Sequence, residues 1–318
     1  MYDQSKGVAR IRIGTRGSKL ALAQAEELRS RLANVDETLA EPNAIEIVVI
    51  TTTGDVVRDR PLSEIGGKGL FMKEIEVALI DGRVDLALHS MKDVETFLTE
   101  GTEISCILPR EDPRDAFLSN KADSLATLPL HAEVGTSSVR RAALIKNRRP
   151  DIKPVMFRGN VGTRLRKLDE GEVAATLLAI AGMKRLGLED RATRIMDLEE
   201  MPPAVAQGAI GTQTRIADGG NDARLLDWLA KIDHVDSHLQ IKAERAMLAT
   251  LDGTCHTPIA GYAKLDGAGG MTLTGHVVSL DGARLHTARG HGAISDAIAI
   301  GQHVGEQLLA RAGPDLPH

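Results

Sequence analysis

The sequence predicts an α/β protein with mixed, largely parallel sheets, and three observations carry that expectation. Short β-branched apolar runs alternate with longer stretches whose apolar residues recur at helical spacing. The 42% hydrophobic content is mostly aliphatic, because the chain holds one Trp, two Tyr and four Phe. Pro and Gly clusters separate the periodic segments. At 318 residues the chain exceeds one ordinary core and suggests two or three domains.

The elements follow in order. Residues 10–13 read as a strand, and 18–32 as a helix with Ala21, Ala25, Leu28 and Leu32 on one face. A β-branched strand covers 45–50, and 70–80 is a helix through Phe71, Ile75 and Leu79, closed by Asp81-Gly82. Strands are expected at 84–88 and 104–108. After Pro113, Glu133-Val134 leads into Gly135-Thr136-Ser137-Ser138 and a helix to about Asn147, stopped by Pro150. Residues 155–157 form a strand, Asn160 caps a helix carrying Val161, Leu165 and Leu168, and 173–180 is a buried strand. Pro202-Pro203 and the Gly-rich run to Gly211 mark a crossing between units. A helix carrying Leu225, Trp228 or Leu229, and Ile232 precedes helix 237–251, strand 271–280 and helix 294–310.

Composition excludes several classes of function. The net charge is 39 − 44 = −5, which does not suit a general polyanion binder. Seven aromatic residues are too few for a base-stacking groove, so no nucleic-acid partner is expected. Two cysteines rule out a disulfide scaffold and suit a reducing compartment. The opening Met1-Tyr2-Asp3-Gln4-Ser5-Lys6 shows no apolar h-region, and no later run approaches the ~18 apolar residues of a spanning helix, so a cytoplasmic protein without a membrane partner is expected.

The chemistry concentrates at helix beginnings. A helix N-terminus carries about half a positive charge and favours acidic residues. Three here carry cations instead: Thr15-Arg16-Gly17-Ser18-Lys19, Ser137-Ser138-Val139-Arg140-Arg141, and Arg158-Gly159-Asn160 with Arg164 a turn later. Each mismatch costs roughly 0.3–1 kcal/mol unless an anion compensates. Three of one construction, each after a strand, imply a ligand with several carboxylates or phosphates. Of the 39 basic residues 26 are Arg, whose planar fork matches such groups, although a GC-rich genome would produce the same excess.

Gly66-Gly67-Lys68-Gly69-Leu70-Phe71 fits neither a Walker A loop nor a dinucleotide fingerprint, leaving a contact loop or a structural turn. His89-Ser90-Met91-Lys92-Asp93 follows a strand, where ligands sit in open α/β sheets. Asp93 is either an ordinary ion-pair partner of Lys92 or a carboxylate held among cations to steady developing positive charge and move protons. Cys106 belongs to an apolar strand. Cys255, past a helix C-terminus, gains no dipole help as a cycling thiolate, and is either an inert loop cysteine or a group that reacts once and stays tethered. Cys-His adjacency lacks metal-site spacing, so no metal is expected.

Together these motifs resemble the hydroxymethylbilane synthase (porphobilinogen deaminase) family. The resemblance lies in Thr15-Arg16-Gly17-Ser18, Gly66–Phe71, His89–Asp93, Arg110-Glu111-Asp112-Pro113-Arg114-Asp115-Ala116-Phe117, Gly135–Arg141, Arg158–Leu165, Gly182-Met183-Lys184-Arg185-Leu186-Gly187 and the loop around Cys255. It covers roughly 10–265. It implies condensation of four porphobilinogen molecules, with loss of ammonia, into hydroxymethylbilane on a dipyrromethane cofactor joined by a thioether to Cys255. Asp93 would meet the pyrrole N–H groups, steady the cationic azafulvene and move protons. Arg16, Arg140, Arg141, Arg158, Arg164 and Arg185 would grip carboxylates, supported by Ser18, Lys68, Lys92, Thr136, Ser137, Ser138, Gly159 and Gln207, with Phe71 packing over a ring.

The resemblance further implies a monomer of three α/β domains, two of them like periplasmic binding proteins: 1–108 with a return near 208–226, then 114–202, then a smaller 232–318 carrying the cysteine loop. The sequence departs from the family at Lys19, where Pro is frequent, at Ala206, where Gly is, and at Thr254 and His256 beside the cysteine. A non-enzymatic carboxylate receptor would need neither Asp93 nor Cys255, and a cysteine hydrolase is disfavoured by the thiol's place after a helix C-terminus.

Overall fold

The hydroxyl of Ser18 accepts the N–H of Ala21 at 3.2 Å, and the helix Lys19–Ala33 runs from that cap. Ala25, Leu28 and Leu32 are buried on the expected face with Gln24 beside them, while Ala21 is half-buried. Ser138 caps Val139–Arg148 through the N–H of Arg141, and Asn160 caps Val161–Asp169 through the N–H of Thr163 at 2.9 Å. None of the three has an acidic residue in its first turn.

The computed structural model describes residues 10–56, 72–216, 223–254 and 257–316. They form two compact units, one of Met1–Arg110 with Ala209–His238 and the other of Glu111–Gly208 with Leu239–His318.

The first unit holds one five-stranded sheet. Ile11–Arg16 pairs in parallel with Ile45–Ile50 on one side and Leu86–Ser90 on the other. The return strand Ile210–Arg215 then lies antiparallel between Leu86–Ser90 and Thr102–Ile107. Helix Lys19–Ala33 and helix Ala223–Ile232 cover one face with Leu28, Leu32, Leu225, Trp228 and Leu229. Helix Lys73–Ile80 covers the other with Ile75, Ala78 and Leu79.

The second unit holds two sheets. In the first, Glu133–Gly135 pairs in parallel with Lys153–Val155 and Ala175–Ala179, and Asp115–Ser119 runs antiparallel between Ala175–Ala179 and Arg194–Ile195. The second is an antiparallel meander of Ile259–Leu265, Gly270–Val278 and Leu285–Ala293. Helix Ala297–Ala312 packs on the meander.

The α/β class and the mixed sheets are as expected, but parallel pairings are two of the four in each five-stranded sheet, not the majority. The strands that make the difference are those the apolar pattern does not reveal. Ile210–Arg215 opens in a Gly-rich run, and Asp115–Ser119 is headed by a charged residue. In the meander, six of the nine residues of Leu285–Ala293 are His, Thr, Arg or Gly, and its burial alternates with exposure, so the apolar pattern does not reveal it either. The strands expected at 84–88 and 155–157 sit at Leu86–Ser90 and Lys153–Val155, and the helix expected over 70–80 runs Lys73–Ile80 with Met72 at its N-cap.

Candidate functional site

In the first unit, Leu86–Ser90 ends in the single turn Met91–Asp93. Met91 is buried, and its N–H donates to the carbonyl of Ala209 at 3.0 Å. It seats against Gly211, where a Cβ would lie 2.3 Å from Met91 Sδ, so a side chain there would displace the turn. Asp93 is thereby held exposed at the C-terminal end of a strand. Among the described residues no side-chain hydrogen bond or ion pair reaches it, and Lys92 is engaged elsewhere. Ile11–Arg16 is the parallel neighbour of that strand, with Gly14 opposite Ala87, so Arg16 and the Asp93 turn lie at the same end of the sheet.

A polar network backs the turn. Buried His89 Nε2 lies 3.0 Å from Gln213 Oε1, and Gln213 Nε2 donates to Glu76 Oε1 at 2.8 Å and Thr102 Oγ1 at 2.7 Å. A carboxylate only accepts, so the amide NH₂ must face Glu76 and its oxygen must face His89. His89 Nε2 therefore carries the hydrogen. Ser90 is fixed to Gln24, whose Nε2 donates to Ser90 Oγ at 2.9 Å.

In the second unit the basic helix start meets an anion supplied by the protein itself. Asp115, with 0% of its surface exposed, accepts Arg140 Nη2 at 2.8 Å, Arg141 Nη2 at 2.7 Å and Gln207 Nε2 at 2.8 Å. Arg140 also donates to the Pro202 carbonyl, and Arg141 to that of Leu177 at 2.9 Å. Burial acts to raise the Asp115 pKa, but the Arg141 and Arg140 guanidiniums overcome it and hold the carboxyl well below its usual range. In this structure part of each fork is thus engaged by Asp115 and by backbone carbonyls. Two cations against one carboxylate still leave positive charge in excess, and Arg140 Nε is buried with no acceptor among the described residues.

That excess meets a second group of cations. Arg164 donates from Nε to the Gly159 carbonyl at 2.9 Å and from Nη2 to Ser137 Oγ at 2.9 Å, both neutral acceptors. Burial, then the charges of Arg141 and Arg158, lower its pKa to about 10. Gly159 has φ +129°, and a Cβ there would come within 2.7 Å of Thr163 Cγ2, so the tight entry to the helix requires glycine. Thr136 Oγ1 accepts the N–H of Ser138 at 3.1 Å. Gln207 Nε2 also donates to the Pro113 carbonyl at 2.6 Å, and Arg185 Nη2 to that of Gly208 at 3.1 Å. Thus Thr136, Ser137, Ser138, Arg140, Arg141, Arg158, Gly159 and Arg164 are gathered at two helix starts, with Gln207 joined to them through Asp115.

Lys68, Phe71, Cys255 and His256 lie outside the described residues. Cys106 is buried in the first core, where burial and then the charge of Asp233 push its thiol up to about 12, as suits an inert residue. Asp115 and the His89–Gln213 pair were missed as functional candidates. The signal for Asp115 was indirect: two adjacent arginines at a buried helix start need an internal carboxylate. Among the described residues no group of three or more His, Cys, Asp or Glu could hold a metal, and no helix is long and apolar enough to cross a membrane.

The donor set, guanidiniums and hydroxyls beside an unsatisfied buried Arg140 Nε, fits a ligand bearing several carboxylates. Comparison with known proteins agrees with that chemistry. Residues 11–222 match the family model described as "Porphobilinogen deaminase, dipyromethane cofactor binding domain", and 238–310 match "Porphobilinogen deaminase, C-terminal domain". The chloroplastic porphobilinogen deaminase of Pisum sativum is 53% identical over 314 residues, covering 98% of this chain and 84% of that one. That of Oryza sativa subsp. japonica is 51% identical over 309 residues, covering 96% and 85%. Among solved structures, the methionine-binding protein MetQ matches with a TM-score of 0.44 at 14% identity, over 76% of this chain and 93% of that one.

Proposed function

The chain belongs to the porphobilinogen deaminase family and condenses four porphobilinogen molecules into hydroxymethylbilane, and we propose how its residues divide that work. It is a transferase of tetrapyrrole biosynthesis with a dipyrromethane-binding domain. When bound, the dipyrromethane supplies the primer end on which the linear product is built. We propose that it is joined to the chain through the sulfur of Cys255.

Arg158, Arg164 and Ser137 hold pyrrole carboxylates directly, with Thr136, Ser138 and Gly159 shaping the backbone around them. The observation that carries this is Arg164, whose acceptors are neutral and whose neighbouring charges, Arg141 and Arg158, are of its own sign. Each charge-assisted contact is worth about 1.5–3 kcal/mol. Arg140 and Arg141 act from behind, as the excess charge of the Asp115 cluster. Arg16, Arg185 and Gln207 serve the incoming porphobilinogen with Phe71, and Ser18, Lys68 and Lys92 support the cofactor. Asp93, exposed and without a protein partner among the described residues, accepts from pyrrole N–H groups, stabilises positive charge as ammonia leaves, and relays the proton.

Three domains, at 1–108 with about 208–226, 114–202 and 232–318, the first two like periplasmic binding proteins, are proposed on the strength of three sheets. A cytoplasmic location without membrane or nucleic-acid partner is likewise proposed from composition, and a monomer from the family resemblance. The two plant relatives are named chloroplastic.

Intact mass of the purified chain tests the tether. It should exceed the sequence mass by two linked pyrrole units, and Cys255→Ser should abolish the excess. Active protein with an unmodified mass would overturn the thioether.

A further inference from the structure

Residues 206–208 form a small hub in the second unit. Gln207 gives its amide to Pro113 and Asp115, and the Gly208 carbonyl accepts from Arg185 and, at 3.3 Å, from the N–H of Glu111. Two residues of the proposed porphobilinogen-binding set thus depend on how this segment enters. The preceding residue, Ala206, is buried with φ 61°, in the left-handed region that a residue with a Cβ rarely adopts. Something must hold it there.

Glu244 sits on helix Val235–Thr250 and has no exposed surface. Its Oε2 accepts the N–H of Ala206 at 2.7 Å, and its Oε1 the N–H of Ala263, on the first strand of the antiparallel meander, at 2.8 Å. We infer that Glu244 is a positioning residue: by tying the backbone of Ala206 in its left-handed conformation, it aims the Gln207 amide at Asp115 and presents the Gly208 carbonyl to Arg185. This rests on the reading that Gln207 and Arg185 bind substrate. A carboxylate suits the task because both its oxygens accept. An amide would turn an NH₂ group toward one of the two backbone donors.

A purely structural tie would behave differently. Loosening it would lower the yield or stability of folded enzyme and leave the Michaelis constant of the surviving fraction alone. A positioning residue moves the Michaelis constant itself, and its loss is relieved by removing the backbone strain it opposes.

The test uses the cofactor-loaded enzyme with porphobilinogen. Glu244→Gln should raise KM about tenfold with kcat within about threefold, the loss of roughly one well-placed contact. Adding Ala206→Gly, which takes φ 61° without strain, should bring KM back to within about threefold of the parent, while Ala206→Gly in the parent gives no comparable gain. Should Glu244→Gln fail to accumulate as folded protein, Ala206→Val carries the test, since a β-branched residue resists the left-handed region and should raise KM alike. An unchanged KM in the folded variant overturns the inference, as does a raised KM that glycine does not relieve. The parent enzyme is assayed first for product and for the tether mass. Failure there would count against the functional reading, whereas failure of the coupling counts only against Glu244.

Discussion

An exposed carboxylate that water solvates adds nothing to the packing around it, so its part in the protein is read from where its neighbours hold it. Asp93 is exposed and without a partner among the described residues, while the residues beside it are anchored: Met91 by burial, Ser90 by Gln24, His89 by Gln213. Asp93→Asn should keep the covalent mass increment and bind porphobilinogen with KM within a few fold, while kcat falls by about 10²–10⁴. Near-parental turnover in a steady-state assay would remove Asp93 from the chemistry. Asp93 could be found in the sequence because it follows a strand, where such sheets bind ligands. Asp115 could not be singled out in the same way: a charged residue heading an apolar strand looks like an ordinary solvated end. Only its surroundings, two guanidiniums and a glutamine amide brought from 25, 26 and 92 residues away, make it the centre of a buried cluster.

At the scale of elements, the caps were the most readable feature. Ser18, Ser138 and Asn160 each act within three residues along the chain, so local sequence contains the whole interaction. The return strand Ile210–Arg215 was the least readable. Its pairing partners lie more than a hundred residues earlier, and its glycine at 211 looks like a turn signal when its use is to admit Met91. Gly211→Ala would set a methyl group 2.3 Å from Met91 Sδ and 2.8 Å from Ile107 Cδ1. That overpacking should cost about 1–3 kcal/mol in denaturant unfolding. It should also lower turnover at least about tenfold, by shifting the turn that carries Asp93. Parental kinetics together with lowered stability would show that the turn tolerates the displacement.

Across the whole molecule, the buried Asp115 cluster links charge to stability. Its depressed carboxyl pKa stabilises the folded chain above the unfolded-state value of about 3.9, and that contribution is lost as pH falls below it. Asp115→Asn should cost about 3–5 kcal/mol at neutral pH, because it leaves two guanidiniums without their shared anion. The gap between variant and parent should narrow below about pH 4 in denaturant titrations run as a function of pH. A gap that is constant with pH would show that the cluster's charge is not what stabilises it.

The first unit's sheet has a different consequence, in time. Among the described residues Thr102–Ile107 joins that sheet only through Ile210–Arg215, whereas every strand of the second unit's five-stranded sheet lies between Asp115 and Ile195. A ribosome adding about 5–20 residues per second needs roughly 5–20 s to make the intervening hundred. For that interval Thr102–Ile107 waits on the nascent chain with its lateral partner unmade, and the later-born segment is free to close its own sheet before the earlier one can.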